Sequence, residues 1–193
     1  PYSPMEELLA MLTAIRPMSN ALINHLLSII EAFELRKNQF LLKKGTVSNH
    51  IYYVSQGILR GFFEDENKKQ TTKWFMDEGN VITSVDSFFS RTRTLEPIQA
   101  LEPSLLFGIR HDQLYDTYEK FLEFNYHGRE LTQKYHVINE RRISALQRLR
   151  APERFLYTKE TQPRIVERVP DKYLASYLGI DKAYLSRIKS KYK

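Results

Sequence analysis

Close to the end of this 193-residue chain, the segment "VPDKYLASYLGIDKAYLSRIKSK" holds the residues whose types and spacing point most directly to chemistry. After Asp181 every charge in it is positive. A solvated helix face usually mixes signs, whereas a helix that meets nucleic acid gathers lysine and arginine. The outward residues of the predicted final helix are Lys182, Ala183, Tyr184, Ser186, Arg187, Lys189 and Lys191, with Lys172 on the helix before it. In such a helix the first residues touch base edges, and lysines further along serve phosphates.

The apolar residues of the same segment say how that face would be held. Counting Asp171 as position one, Leu174, Leu178, Ile180, Leu185 and Ile188 fall at the spacings that seal two crossed helices against a domain. Ala175 supplies the small residue that a crossing near 90–120° needs. Gly179 stands where the turn demands positive φ. Asp181 is placed to cap the second helix. This is the pattern of a helix-turn-helix.

The charge of the chain divides accordingly. Residues 1–128 hold 13 basic against 16 acidic side chains, a net −3, while residues 129–193 hold 16 against 7, a net +9. The split suggests two tasks in one chain, the second on nucleic acid. With 42% hydrophobic and 27% charged residues, the composition is that of an ordinary soluble protein. No apolar run approaches the length of a membrane span. The N-terminal region lacks a basic start and a cleavage site, so a cytoplasmic location is expected, and Pro1 suggests that the native start is missing. The absence of cysteine excludes disulfides, thiol catalysis and cysteine-ligated zinc or iron–sulfur centres. The five histidines are scattered and give no metal or haem pattern.

The remaining elements must carry the basic segment. Leu8, Leu12 and Ile15, then Leu22, Leu26 and Ile30, recur at helical spacing and predict helices over 4–15 and 19–31, with Ser19 as an N-cap. From Glu34 to Ile109 the chain turns to short aromatic and β-branched runs separated by turn residues every 8–12 positions, which predicts an antiparallel sandwich or barrel. Val81–Ser90 reads as a short helix or an irregular loop. Helical period returns at Leu114. Phe121, Phe124, Gly128, Leu131, Tyr135, Ile138, Arg142, Ala145 and Leu149 then trace one seam, interrupted in character by Gly128 and Arg142. This seam fits either a helix docked on its own barrel or a dimer helix, with Leu131, Tyr135 and Ile138 at the contact. "PERFLYTKE" predicts a short helix and "RIVERV" one or two short strands.

In this order, helices, a glycine-punctuated β-roll phrased "LLKKGTVSNHIYYVSQGILRGFF", a long helix and a terminal helix-turn-helix, the chain resembles the Crp/Fnr family of bacterial transcription regulators. The resemblance implies an α+β fold. N-terminal helices and an antiparallel, jelly-roll-like β-roll form an effector domain over 1–118. A dimerisation helix follows over 119–150, and a winged helix-turn-helix over 151–193. It also implies a homodimer on double-stranded DNA, with Lys182, Ala183 and Arg187 at the base-reading positions, and RNA polymerase as a further partner.

Cyclic-nucleotide-binding members of that family carry Gly-Glu, a short helix, and then Arg-Ser/Thr-Ala. Here Gly79 is followed by Asn80, and Thr94 takes the arginine place, with Arg91 and Arg93 nearby as candidate substitutes. Cyclic AMP is therefore not the expected ligand. No cofactor is expected beyond an unidentified small-molecule effector, and the alternative for the β-roll is a ligand-free scaffold. An enzyme is not expected, since HExxH, GxSxG and phosphate-loop motifs are all missing. The other reading is a cyclic-nucleotide sensor or interaction domain whose main role is not DNA binding.

Overall fold

The computed structural model describes residues 3–192, so Pro1, and with it the expectation about the native start, lies outside the described residues. Two helices open the fold, α1 (Pro4–Ile15) and α2 (Asn20–Ile29). Ser3 and Glu6 close a capping box on α1, and the Ser19 hydroxyl accepts from the Leu22 amide at 3.2 Å, as the sequence predicts.

Eight strands follow: β1 (Glu31–Leu35), β2 (Phe40–Leu42), β3 (His50–Gln56), β4 (Leu59–Glu64), β5 (Gln70–Met76), β6 (Val81–Ile82), β7 (Ile98–Ala100) and β8 (Ser104–Arg110). They form two antiparallel four-stranded sheets, ordered β1-β8-β3-β6 and β2-β7-β4-β5. Leu59, Ile98, Ala100, Val54, Ile82 and Leu106 alternate inward from the two sheets and fill the space between them. The ambiguous stretch 81–90 resolves into β6 and a short helix, α3 (Val85–Ser90).

The rest is helical: α4 (His111–Lys120), α5 (Phe124–Arg148), α6 (Ala151–Thr161), α7 (Pro163–Arg168), α8 (Asp171–Leu178) and α9 (Lys182–Lys191). Two expectations need correction. The long helix is shorter at both ends than 119–150. "RIVERV" lies mostly in helix α7, not in strands, so among the described residues the helix-turn-helix carries no β-wing. The apolar residues Ile165, Val166 and Val169 favoured strand by composition. Pro163 starts the helix instead, and Ile165 and Val169 are drawn into the core around α8.

The two blemishes in the α5 seam acquire a cause. A Cβ at Gly128 would meet the Tyr118 hydroxyl at 2.3 Å, so the glycine lets α5 lie close on α4. Arg142 reaches over Tyr177 of α8, its guanidinium 3.4 Å from the ring centroid. The seam therefore faces its own chain. Leu131 packs against the cluster that includes Leu8, Phe88 and Phe124, and the Tyr135 hydroxyl accepts from the Val81 amide at 2.6 Å. Ile138 lines a cavity beside Trp74 and Arg142. Leu131, Tyr135 and Ile138, expected at a dimer contact, make these contacts while staying only half-buried.

Gly179 ends α8 with φ +68°, in the left-handed region, and nothing lies within 4 Å of where its Cβ would be. Its role is conformational only. Gly179→Ala should therefore cost roughly 1–2 kcal/mol, and Gly179→Asn distinctly less, in urea unfolding at equilibrium; equal stabilities for all three chains would contradict this.

Candidate nucleic-acid interface and effector pocket

Helix α9 is set by the devices the sequence suggests. The Asp181 carboxylate accepts from the Tyr184 amide at 2.7 Å, and Leu185 and Ile188 are buried against Leu174 and Leu178. Burying that stripe turns Lys182, Ala183, Ser186, Arg187, Ser190 and Lys191 outward, all exposed. Ala183, Arg187 and Lys191 recur every four residues along one edge of this face. Tyr184 is half-buried, with the Arg187 guanidinium 5.3 Å from its ring. Two of the expected cations are occupied nearer home. Lys189 pairs with Asp171 at 2.5 Å, tying α9 back to the start of α8, and Lys172 lies 4.5 Å from the Tyr173 ring.

Helix α8 does not stand free. It packs on the outer face of the sheet that contains β5. The Ser176 hydroxyl accepts from the Thr72 amide at 2.8 Å and donates to the Gln70 carbonyl at 3.0 Å, which satisfies part of the exposed edge of β5. Beneath it lies Arg60, 1% exposed. Its guanidinium is sandwiched between the rings of Phe62 and Tyr173, at 4.0 and 3.7 Å. It donates to the side-chain carbonyls of Gln99 and Gln70, its Nη1 has no partner, and no carboxylate pairs with it among the described residues. Burial brings its pKa down to about 10, with Tyr173 opposing the shift.

The effector residues separate into two places. Gly79 and Asn80 form the turn between β5 and β6, where Asn80 donates to Asp77 at 2.9 Å and accepts from Tyr135 at 3.3 Å. Thr94 lies elsewhere, buried, its hydroxyl bonded to Ser84 at 2.8 Å and to the backbone of Glu96. The residues directly before α3 are Thr83 and Ser84, so these, not Gly79 and Asn80, stand where Gly-Glu would precede the short helix. The glycine was the misleading signal: it serves a turn. Around Ser84 and Thr94 the space is closed by further hydroxyls, with Ser48 bonded to Thr83 and to Ser87. Arg91 does not enter this cluster. Its guanidinium donates to the carbonyls of Ser48 and Phe88 and to Asn49, while Arg93 is exposed and bridges Val47 through its backbone.

A third group went unread in the sequence. Glu78 receives Arg168 at 2.8 and 2.9 Å, Arg164, and the Gly57 amide at 2.9 Å, and Arg168 also binds Glu102. Burial opposes ionisation of Glu78, but the Arg168 and backbone hydrogen bonds outweigh it and hold its carboxyl at about 2.

Residues 32–121 match the family model of the cyclic nucleotide-binding domain. No match is found among the curated proteins. Among solved structures, the chain is similar to FixK2 from Bradyrhizobium japonicum, with 16% identity over 84% of each chain and a TM-score of 0.73. It is also similar to CLP from Xanthomonas campestris, a c-di-GMP responsive global regulator, with 16% identity, 90% of this chain and 91% of that one covered, and a TM-score of 0.67. A protein of Eubacterium rectale described as a transcriptional regulator of the Crp/Fnr family gives 12% identity, 89% and 82% coverage, and a TM-score of 0.70.

The Glu78 latch joins the β-roll to α7, and its depressed carboxyl implies an acid limb. The stability it adds is complete above pH 4.5 and is lost as pH falls from there towards 2. Thermal unfolding followed across that window should show a shallower loss for Glu78→Gln than for the unmodified chain; parallel curves would show that the latch adds nothing.

From its architecture the chain has the fold of the Crp/Fnr regulators, and residues 32–121 are similar to the cyclic nucleotide-binding domain.

Proposed function

We propose that this protein is a sequence-specific DNA-binding transcription regulator of Crp/Fnr type, acting in the cytoplasm as a homodimer and communicating with RNA polymerase. In this reading residues 1–118 sense, 119–150 connect and 151–193 bind DNA. The observation that carries it is the exposed, acid-free face of α9, held outward by the buried stripe of Leu185 and Ile188. Two such helices related by a two-fold axis meet successive major grooves about 34 Å apart, so the operator is an approximate palindrome.

The β-roll is not proposed to take cyclic AMP. A cyclic phosphate held out of water needs a cation or a row of free donors. The Ser84–Thr94 cluster offers hydroxyls that already satisfy one another, and Arg91 is spent on carbonyls. Calorimetry should show no heat with cyclic AMP; micromolar binding abolished by Arg91→Ala would overturn this part.

On DNA, Arg187→Ala should cost roughly 1–3 kcal/mol and relax one base position. Lys191→Ala should weaken all sequences alike and lower the salt dependence by about one phosphate contact. Competition gel shifts on selected operators read both effects. An Arg187→Ala protein with unchanged affinity and preference would remove the base-reading role.

A further inference from the structure

The exposed face of α9 is not uniform in chemistry. Lysines stand at its start and end, while Ala183 puts a bare methyl group in the first turn, exposed and in line with Arg187 one turn further on. Packing does not account for this alanine, since the core beneath α9 is made by Leu185 and Ile188. Nor does capping, since the helix start is fixed by Asp181, whose carboxylate accepts from the Tyr184 amide at 2.7 Å. Arg187 makes no ion pair among the described residues, and its guanidinium lies beside the Tyr184 ring, 5.3 Å from the centroid.

What a methyl group can recognise follows from the groove edges of the bases. In the major groove guanine offers two acceptors, cytosine a donor, adenine an acceptor and a donor, and thymine an acceptor with a C5-methyl group. A carboxylate is the side chain that takes the cytosine donor. None stands on this face: Asp181 is spent on the cap, and residues 182–192 contain no Asp or Glu. Set against cytosine, Ala183 would shut an amino group away from water without an acceptor, which is costly. Set against thymine, two methyl groups shield each other from water, which is favourable. Arg187 carries the fork that matches the two guanine acceptors. It stands about 6 Å beyond Ala183 along the helix axis, close to two base steps of about 3.4 Å.

We propose that Ala183 is a specificity-determining residue, whose methyl group reads the C5-methyl of a thymine about two base pairs from the guanine taken by Arg187. Reading a base in this way presupposes the DNA binding proposed above, and adds to it the identity of one base in each half-site.

Operators are first selected from random duplexes with the full chain. Each thymine of a selected operator is then replaced singly by deoxyuridine, which keeps the pairing and removes only the methyl group, and affinity is measured by competition gel shift. A thymine about two base pairs from an essential guanine should prove sensitive. Its replacement should weaken binding roughly fourfold, the worth of one buried methyl group. Ala183→Gly should bind the thymine and uracil forms alike. Because glycine weakens a helix, Ala183→Glu serves as the second variant, a carboxylate in the first turn being favoured by the helix dipole. It should keep the melting temperature and shift the selected base at that position from thymine to cytosine. Uracil tolerated at every thymine would overturn the assignment while leaving DNA binding in place. So would a sensitivity unchanged in Ala183→Gly together with an unchanged selected base in Ala183→Glu. Failure to select any operator would overturn both the assignment and the regulator reading beneath it.

Discussion

The arrangement of this molecule turns on a cation buried without a counter-ion. Arg60 sits in the middle of a sheet, and what makes that position tolerable is the ring of Tyr173 arriving from α8. A desolvated cation–π contact is worth about 2 kcal/mol, and the bonds to Gln99 and Gln70 return part of the hydration that the guanidinium lost. Take α8 away and the outer face of this sheet, with Phe75 and the edge of β5, returns to water. The docking of the helix-turn-helix and the burial of Arg60 are therefore one event, and the Ser176 and Arg168 contacts are fixed around it.

Much of the fold was legible because it rests on periodicity and caps. The helices of the N-terminal pair, the glycine turns of the β-roll and the register from Leu174 to Ile188 each depend on short-range rules. What was not legible depends on contacts across the chain. Gly128 and Arg142 break the heptad pattern, and that break was the available signal that α5 packs on something other than another seam. Arg60 stood in the apolar run "ILRGFF", and a charge inside a buried strand marks a covered face, but nothing local says which element covers it.

The candidate sites show the same division. The exposed basic face of α9 was readable from spacing, since a buried stripe dictates an exposed one. The pairing of Lys189 with Asp171, a helix away, was not readable from spacing along α9. In the β-roll, Gly79 drew attention as a motif glycine, yet it serves a turn, and Thr83 and Ser84 hold the position before α3. A single strand of two residues, β6, separates the two places, and counting along the sequence does not reveal it.

The core around α8 also takes in Ile58, Phe75 and Leu101 from the β-roll, beside Phe155, Ile165, Val169 and Leu185. Residues 151–192 are close to the size, about 40 residues, below which a chain seldom sustains a core alone. Here they borrow three large side chains from their neighbour. The helix-turn-helix is thus not a separate folding unit hung on the β-roll, and the boundary between the two lies inside a shared interior. An excised C-terminal fragment would expose its inner face and the β-roll its outer one. In the intact chain the two parts melt together, so any change in how tightly one is held is felt as a change in the stability of the other.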